Sequence, residues 1–320
     1  MALHSWTCHS SIAAMALAIL APTIHGAFVV FEGSDTAVTD FTAGADVGSI
    51  LGNGNTLDIM TGANALVVQG DGNTITEGAD GSKVTILGND NTFTGDNTTP
   101  NQSSGDEIIV IGNENDINAG RGNDLIHVLG NDNEIRGNRG EDRIQVTGNN
   151  NLVRAGRNDD VIVVSNGMNN NVQGRNGVDV LTFAGPGTTL KGDQQIDTFV
   201  PAYKSFDDNS MDSATITDFQ STEVIDFSEF ECAGSNMYNL GLVDNSNGND
   251  LDIVVYTSGG AGMYAMYGVM MPCFSSTVVT IEGVTAMDVS DGTTVVNIVN
   301  PVGSCLMDPV GVNPMLPVCI

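Results

Sequence analysis

Aspartates recur through the middle of this chain at a spacing that would bring their carboxylates together. The interval is eighteen residues, with one additional residue between the fourth and the fifth: Asp106, Asp124, Asp142, Asp160, Asp179 and Asp197. Glycines accompany them in the intervening turns: Gly120, Gly122, Gly137, Gly140 and Gly156. A hard cation such as Ca²⁺ takes six to eight oxygen ligands at about 2.3–2.6 Å, and glycine allows a turn to direct its carbonyls inward. One turn offers too few ligands, so we predict that stacked pairs of these turns bind Ca²⁺.

Stacked carboxylates would repel one another unless a cation lay between them. At a separation of about 5 Å, two such charges repel by about 1 kcal/mol in water and about 3 kcal/mol at an effective dielectric of 20. The alternative is that each carboxylate accepts hydrogen bonds from the amides of its own turn, as Asp commonly does in loops. Asp106, Asp179 and Asp197 follow turns that depart from the glycine pattern, and for these three neither interpretation is favoured.

A nine-residue period of apolar side chains indicates the elements that must position these aspartates. Sixteen positions carry it, with six inserted residues before Ile108 and one before Val172: Leu57, Leu66, Ile75, Val84, Phe93, Ile108, Ile117, Ile126, Ile135, Ile144, Val153, Ile162, Val172, Leu181, Leu190 and Phe199. Asp and Asn alternate two positions before them, so the true repeat is eighteen residues with two short strands per coil. We therefore predict an all-β fold, a parallel β-roll or β-solenoid of about eight coils followed by a β-rich C-terminal capping domain.

The Asn positions define the opposite edge of the predicted coils: Asn55, Asn73, Asn91, Asn115, Asn133, Asn151 and Asn170. A neutral amide is a poor calcium ligand by itself, but identical stacked amides can hydrogen-bond to one another along the axis as a ladder. We predict a structural role for this edge. Asp90, Glu114 and Asp132 make it a weaker candidate for cations.

Four segments are expected along the chain. Residues 1–26 contain no Asp, Glu, Lys or Arg and include a short apolar run, which indicates a secretory signal peptide. A lead-in or cap follows at 27–49, then the β-roll at 50–200 with an insertion loop at 94–105. The capping domain at 201–320 holds Cys232, Cys273, Cys305 and Cys319, which would form two disulfides with three possible connectivities in an oxidising compartment.

Two groups of segments resemble the RTX (repeats-in-toxin, hemolysin-type calcium-binding repeat) family. Residues 119–126, 137–144 and, more loosely, 155–162 are similar to its calcium-binding nonapeptide G-G-x-G-x-D-x-U-x. Residues 214–228 resemble the I-x-D-F-x-x-x-x-D-x-I-D-[LF]-S segment that closes RTX arrays, with Glu223 in place of the usual Asp. The resemblance implies a β-roll that holds Ca²⁺ between stacked Gly/Asp turns and a serralysin-like C-terminal region. An N-terminal signal and four cysteines depart from bacterial relatives, which often carry a C-terminal export signal.

Composition restricts the function further. A net charge of −29, from 39 acidic against 10 basic residues, disfavours nucleic acid and anionic membranes, and the apolar run is too short for membrane insertion. Past residue 26 the only histidine is His127, and neither H-E-x-x-H nor G-x-S-x-G occurs, so we expect no enzyme. We predict a secreted, extracellular, structural or adhesive protein whose partners are calcium ions and extracellular polysaccharide or matrix.

Two alternatives remain open. The first is a polysaccharide-acting or polysaccharide-binding β-helix protein, because Arg121, Arg139 and Arg157 share a turn position and a row of guanidiniums suits carboxylate-bearing polysaccharide. Surface arginines more often pair with neighbouring acids, here Glu141 and Asp159. Ice binding is less favoured, because the Thr-x-Thr pairs at 74–76 and 92–94 stop after two coils.

Overall fold

The computed structural model describes residues 28–39, 47–59, 65–78, 81–96, 105–202, 213–228, 237–258, 274–290, 296–299 and 306–307. The chain divides into two compact units. Unit 1 comprises Met1–Val163 with Arg175–Gly177, and unit 2 comprises Val164–Gly174 with Val178–Ile320. The predicted signal peptide, residues 97–104 of the insertion loop and the four C-terminal cysteines lie outside the described residues.

Short strands form the regular structure of unit 1. They are β1 (Phe28–Glu32), β2 (Ala37–Thr39), β3 (Val47–Leu51), β4 (Thr56–Ile59), β5 (Ala65–Gln69), β6 (Thr74–Glu77), β7 (Lys83–Leu87), β8 (Thr92–Thr94), β9 (Glu107–Ile111), β10 (Asp116–Arg121), β11 (Leu125–Leu129), β12 (Glu134–Arg139), β13 (Arg143–Thr147) and β14 (Leu152–Arg157). Odd-numbered strands pair in parallel in one sheet, in the order β1 to β13, and even-numbered strands pair likewise in a second sheet. Each coil therefore contributes one strand to each sheet.

The register of these sheets explains the nine-residue period. Ile126 pairs with Ile108 on one side and Ile144 on the other, and Ile117 pairs with Ile135 in the second sheet. Alternate side chains point to opposite faces of a strand, so one face of each strand is apolar and buried. All sixteen apolar positions of the period are buried. This core fixes the register, since a slip by one residue would expose it.

The turns at the asparagine edge are held by the predicted ladder. Asn55, Asn73, Asn91, Asn115 and Asn133 are buried. The backbone N–H and the side-chain Nδ2 of Asn115 both donate to Oδ1 of Asn133, at 2.9 and 3.1 Å, and the same pair of bonds recurs from coil to coil. Nδ2 of Asn115 also donates to the Gly88 carbonyl at 3.1 Å. The amides thus satisfy the turn and one another, as an Asn ladder requires.

Strands β15 (Val161–Ser165) and β16 (Asn171–Asn176) contain the division between the units. The elements of unit 2 that follow are β17 (Val180–Phe183), β18 (Thr189–Gln194), β19 (Thr198–Pro201), β20 (Ala214–Ile216), β21 (Val224–Asp226), β22 (Met237–Asp244), β23 (Leu251–Ser258), β24 (Phe274–Ile281), α1 (Ala286–Ser290), β25 (Asn297–Val299) and β26 (Leu306–Met307). Parallel pairing continues through β17, β19, β21 and β25, and through β18, β20 and β24.

The second of these series ends in an antiparallel arrangement. β24 pairs with β23 and β23 with β22, both antiparallel, while β26 pairs in parallel with β22. β23 therefore occupies the edge of β24, whose backbone groups would otherwise lack partners in the sheet.

The fold class predicted from the sequence is confirmed: the protein is nearly all β, and its parallel β-solenoid has about eight coils of about 18 residues. Parallel pairing begins at β1, ahead of residue 50, and continues past Phe199 through β20 and β21. The five-residue α1 is the one helix of the described residues, and none of them forms a helix long and apolar enough to span a membrane.

Candidate functional site

Four of the predicted aspartates stack on consecutive coils of unit 1. Asp106, Asp124, Asp142 and Asp160, the aspartate column, each lie one residue before an odd-numbered strand and are at most 4% exposed. The backbone carbonyls of Asp106, Asp124 and Asp142 accept hydrogen bonds from the first residue of the equivalent strand in the next coil, as Leu125 N–H donates to Asp106 O at 2.8 Å. The parallel ladder therefore places the four carboxylates one above another.

One oxygen of each carboxylate is used to connect the coils. The N–H of Asp106 donates to Oδ1 of Asp124, that of Asp124 to Asp142, and that of Asp142 to Asp160, at 2.7–2.8 Å. The donor belongs to the preceding coil, not to the turn of the carboxylate itself as the alternative interpretation supposed. The same bond, from a backbone N–H to the side-chain Oδ1 of the next coil, occurs in the asparagine ladder. Asp and Asn therefore connect neighbouring coils in the same way on the two edges.

The second oxygen distinguishes the aspartate column from the asparagine ladder. Oδ2 of Asp142 is buried and accepts no hydrogen bond from any residue that the structure describes. It faces Gly137, where a Cβ atom would lie only 2.3 Å from it. Burial, followed by the charge of Asp124, raises the pKa of Asp142 to about 8. An asparagine at this position would carry a donating amide, whereas a carboxylate brings an uncompensated negative charge.

Unit 2 contains an equivalent column of three acidic residues, Asp179, Asp197 and Glu223, all fully buried. The Asp179 N–H donates to Oδ1 of Asp197 at 2.8 Å, and Val224 N–H donates to the Asp197 carbonyl at 3.0 Å. Because Thr198 pairs with Val224, Glu223 occupies the position that Asp197 takes in the preceding coil. Asp179 and Asp197 thus join this column although their turns depart from the glycine pattern.

Two carboxylate oxygens of this column converge at Gly192. A Cβ atom on Gly192 would lie 2.2 Å from Oδ2 of Asp197 and 3.0 Å from Oε1 of Glu223. Neither oxygen accepts a hydrogen bond of ordinary geometry within the described part of the chain, but the two carboxyl groups interact with each other. Burial raises the pKa of Asp197 to about 6 and that of Glu223 to about 7. Any side chain at position 192 would clash with these two buried carboxyl groups, so the approach of both oxygens to the backbone there requires glycine.

The predicted glycines serve the turns in different ways. Gly120 pairs with Asn138 and Asn138 with Gly156, so Gly137 does not share their register position. Gly140 has φ of 135°, and a Cβ there would lie 1.7 Å from the Gly122 carbonyl oxygen. Only glycine allows this conformation and this approach of two backbones.

Several residues of these columns were not predicted as ligands. The sequence pattern indicates Glu223 only as a substitution within the closing segment, and it does not indicate Gly192. The spacing of Gly192 in the sequence could have identified it. Gly192 precedes Asp197 by the same five residues that separate Gly137 from Asp142.

Side chains alone do not supply a complete metal centre: among the described residues, no group of three or more His, Cys, Asp or Glu is arranged to hold a metal ion. A cation at these columns would need backbone carbonyl oxygens in addition to the carboxylates, as calcium sites commonly have. No protein-family model, curated protein or solved structure matches this chain.

Proposed function

We propose that this protein is a secreted, calcium-binding β-roll of the RTX type, without enzymatic activity, with a structural or adhesive role outside the cell. The solenoid supplies the stacked turns, and the acidic columns supply oxygen ligands of the kind that Ca²⁺ prefers. A bound cation would neutralise carboxylates that are buried in the fold, and it would stabilise the folded chain because the unfolded chain has no such preformed site.

The observation that carries this proposal is the arrangement at Gly192. Oδ2 of Asp197 and Oε1 of Glu223 converge on one point, are buried, and accept no hydrogen bond of ordinary geometry from the described residues. Two buried carboxylates that approach the same backbone position suit a divalent cation, whose charge would offset both. Asp142 with Gly137 repeats one half of this arrangement in unit 1.

Calcium titration of the full chain tests the proposal. We expect Ca²⁺, added to chelator-treated protein at pH 7.5, to raise the unfolding temperature measured by circular dichroism. In the double variant Asp197→Asn/Glu223→Gln, this rise should be reduced. The matched control is Asp244→Asn/Glu282→Gln, which removes two acidic groups, an exposed aspartate and an exposed glutamate, outside the column. Equal calcium responses of the wild type and the Asp197/Glu223 variant would contradict the proposed site.

A second candidate function, binding of anionic polysaccharide, is favoured by an arginine stripe on unit 1. Arg121 pairs with Arg139 and Arg139 with Arg157, so the three stack on adjacent coils at about 4.8 Å. Arg139 and Arg157 are exposed. Retention of the protein on an immobilised polyuronate, lost in Arg139→Gln/Arg157→Gln, would support this function, and unchanged retention would contradict it.

A further inference from the structure

A glutamate lies buried at the N-terminal end of the aspartate column. Glu77 is the last residue of β6 and points inward, with 2% of its surface exposed. Thr76 pairs with Thr94, so the equivalent residue of the next coil is Gly95, which has no side chain to occupy the same space. An ionisable side chain therefore stands in a part of the coil that is otherwise filled by small residues.

Both carboxylate oxygens of Glu77 are buried and make no hydrogen bond of ordinary geometry with the described residues, while the side chains of Ser82 and Asp106 interact with the carboxyl group. An isolated buried carboxylate is costly, and proteins normally pair it with a cation, a hydrogen-bond donor or a proton. Burial, followed by the charge of Asp106, raises the pKa of Glu77. Two buried carboxyl groups therefore interact here, since Asp106 is itself only 4% exposed, and ionisation of both would require a cation between them.

Ser82 shows how Glu77 relates to the column. The N–H of Ser82 donates to Oδ1 of Asp106 at 2.9 Å, the bond that the Asp106 N–H makes to Asp124 one coil further. Ser82 thus occupies a column position but carries a hydroxyl instead of a carboxylate. Glu77, five residues earlier, supplies from the preceding strand the acid that this position lacks.

We propose that Glu77, Asp106 and Ser82 form a binding site for a hard divalent cation, of the class of Ca²⁺ and Mg²⁺. The donors are two carboxylates and one hydroxyl, and an all-oxygen set selects such ions over the softer transition metals. The site involves neither Gly192 nor the Asp197 and Glu223 carboxylates, so it does not depend on the calcium site in unit 2.

Counting bound ions tests the proposal. Equilibrium dialysis of the full chain against radioactive Ca²⁺, and separately against Mg²⁺ followed by elemental analysis, gives the number of ions per chain. Glu77→Gln should bind one ion fewer than the wild type, because the amide retains the shape of the side chain without its charge. Glu282→Gln, the same change at an exposed acid outside both columns, should bind as many ions as the wild type.

The outcomes separate this inference from the calcium site of unit 2. If Glu77→Gln binds as many Ca²⁺ and Mg²⁺ ions as the wild type, the inference is wrong, and a proton retained by Glu77 accounts for its burial. If Glu77→Gln loses an ion while Asp197→Asn/Glu223→Gln loses none, the inference holds and the unit 2 site fails. Should the wild type bind neither ion, both fail. Asp106→Asn is the second variant: it should lose the same ion, and if Glu77→Gln does not fold, retention of that ion by Asp106→Asn overturns the inference.

Discussion

The aspartate column should make the stability of the metal-free protein fall as pH rises, and Asp142→Asn should remove part of this dependence. The folded-state pKa of Asp142 is about 8, against 3.8 for an unperturbed Asp. A carboxyl with a raised folded-state pKa retains its proton on folding at pH values where the unfolded chain has lost it. Its contribution to stability is therefore complete below pH 4 and is lost as the pH rises through about 8.

The magnitude follows from the linkage between proton binding and folding. Each carboxyl that takes up one proton on folding changes the free energy of unfolding by about 1.4 kcal/mol per pH unit, or about 3 kcal/mol between pH 5.5 and 7.5. For a domain of this size, about 3 kcal/mol corresponds to a change in unfolding temperature of about 6–12 °C. Asp142→Asn keeps the acceptor for the Asp124 N–H but has no proton to lose, so its unfolding temperature should depend less on pH by about this amount.

The assay is thermal unfolding in chelator, followed by circular dichroism at a series of pH values from 5 to 8. Lowering the pH also reduces the net negative charge, which stabilises any strongly acidic protein. Glu141→Gln removes one exposed charge and controls for that general effect, so the difference between the slopes of Asp142→Asn and Glu141→Gln reports Asp142 alone. Saturating Ca²⁺ should reverse the dependence in the wild type, because a cation requires the deprotonated carboxylate.

Two results would refute this reasoning. The first is an unfolding temperature of the metal-free wild type that rises between pH 5.5 and 7.5. The second is a slope for Asp142→Asn equal to that of Glu141→Gln, which would show that Asp142 is ionised in the folded protein without a cation.

Three further predictions concern single contacts. Gly192→Ala places a Cβ 2.2 Å from Oδ2 of Asp197, so calorimetric titration should show weaker Ca²⁺ binding; unchanged affinity would argue against this site. Asn115→Asp replaces a buried amide that donates to the Gly88 carbonyl. It should lower the free energy of unfolding measured in urea by about 1–3 kcal/mol, more at pH 8 than at pH 5; a loss of stability independent of pH would contradict this prediction. Lys83→Ala breaks an exposed ion pair with Glu107 and should change the free energy of unfolding by less than about 1 kcal/mol, and a larger loss would show stronger coupling than the exposure allows.

The solenoid could be predicted because its core obeys a strict period. Each coil buries the same position of each strand, so residues such as Ile117, Ile126 and Ile135 recur at nine-residue intervals and all become buried. The alternation of Asp and Asn separated the two edges for the same reason, since stacked turns repeat their hydrogen bonds from coil to coil. Local periodicity was sufficient wherever neighbouring coils have equal length.

The sequence did not predict the columns completely where neighbouring coils differ in length, or where a side chain bonds to another coil instead of to its own turn. Ser82 and Asp106 are adjacent in the column but 24 residues apart, because the insertion loop lies between them. Glu77 lies on an even-numbered strand, whereas the residues of the Asp pattern lie just before odd-numbered strands. Its place beside the column is therefore evident only in the folded structure. The direction of the side-chain bonds was also not evident, because Asp commonly bonds its own turn and only the parallel register shows that the donor belongs to the preceding coil.

The asparagine and aspartate edges of the solenoid differ by one side-chain atom at each turn, an amide nitrogen on one edge and a carboxylate oxygen on the other. Asn115 and Asp142 accept the same backbone bond from the preceding coil. The remaining atom is a donating amide nitrogen in Asn115 and a buried oxygen in Asp142. The Asn115 amide is therefore satisfied at every pH, whereas the buried oxygen of Asp142 is stabilised by a proton or by a cation. If the proposed cation binding holds, the aspartate edge is the part of the solenoid whose stability responds to cation concentration.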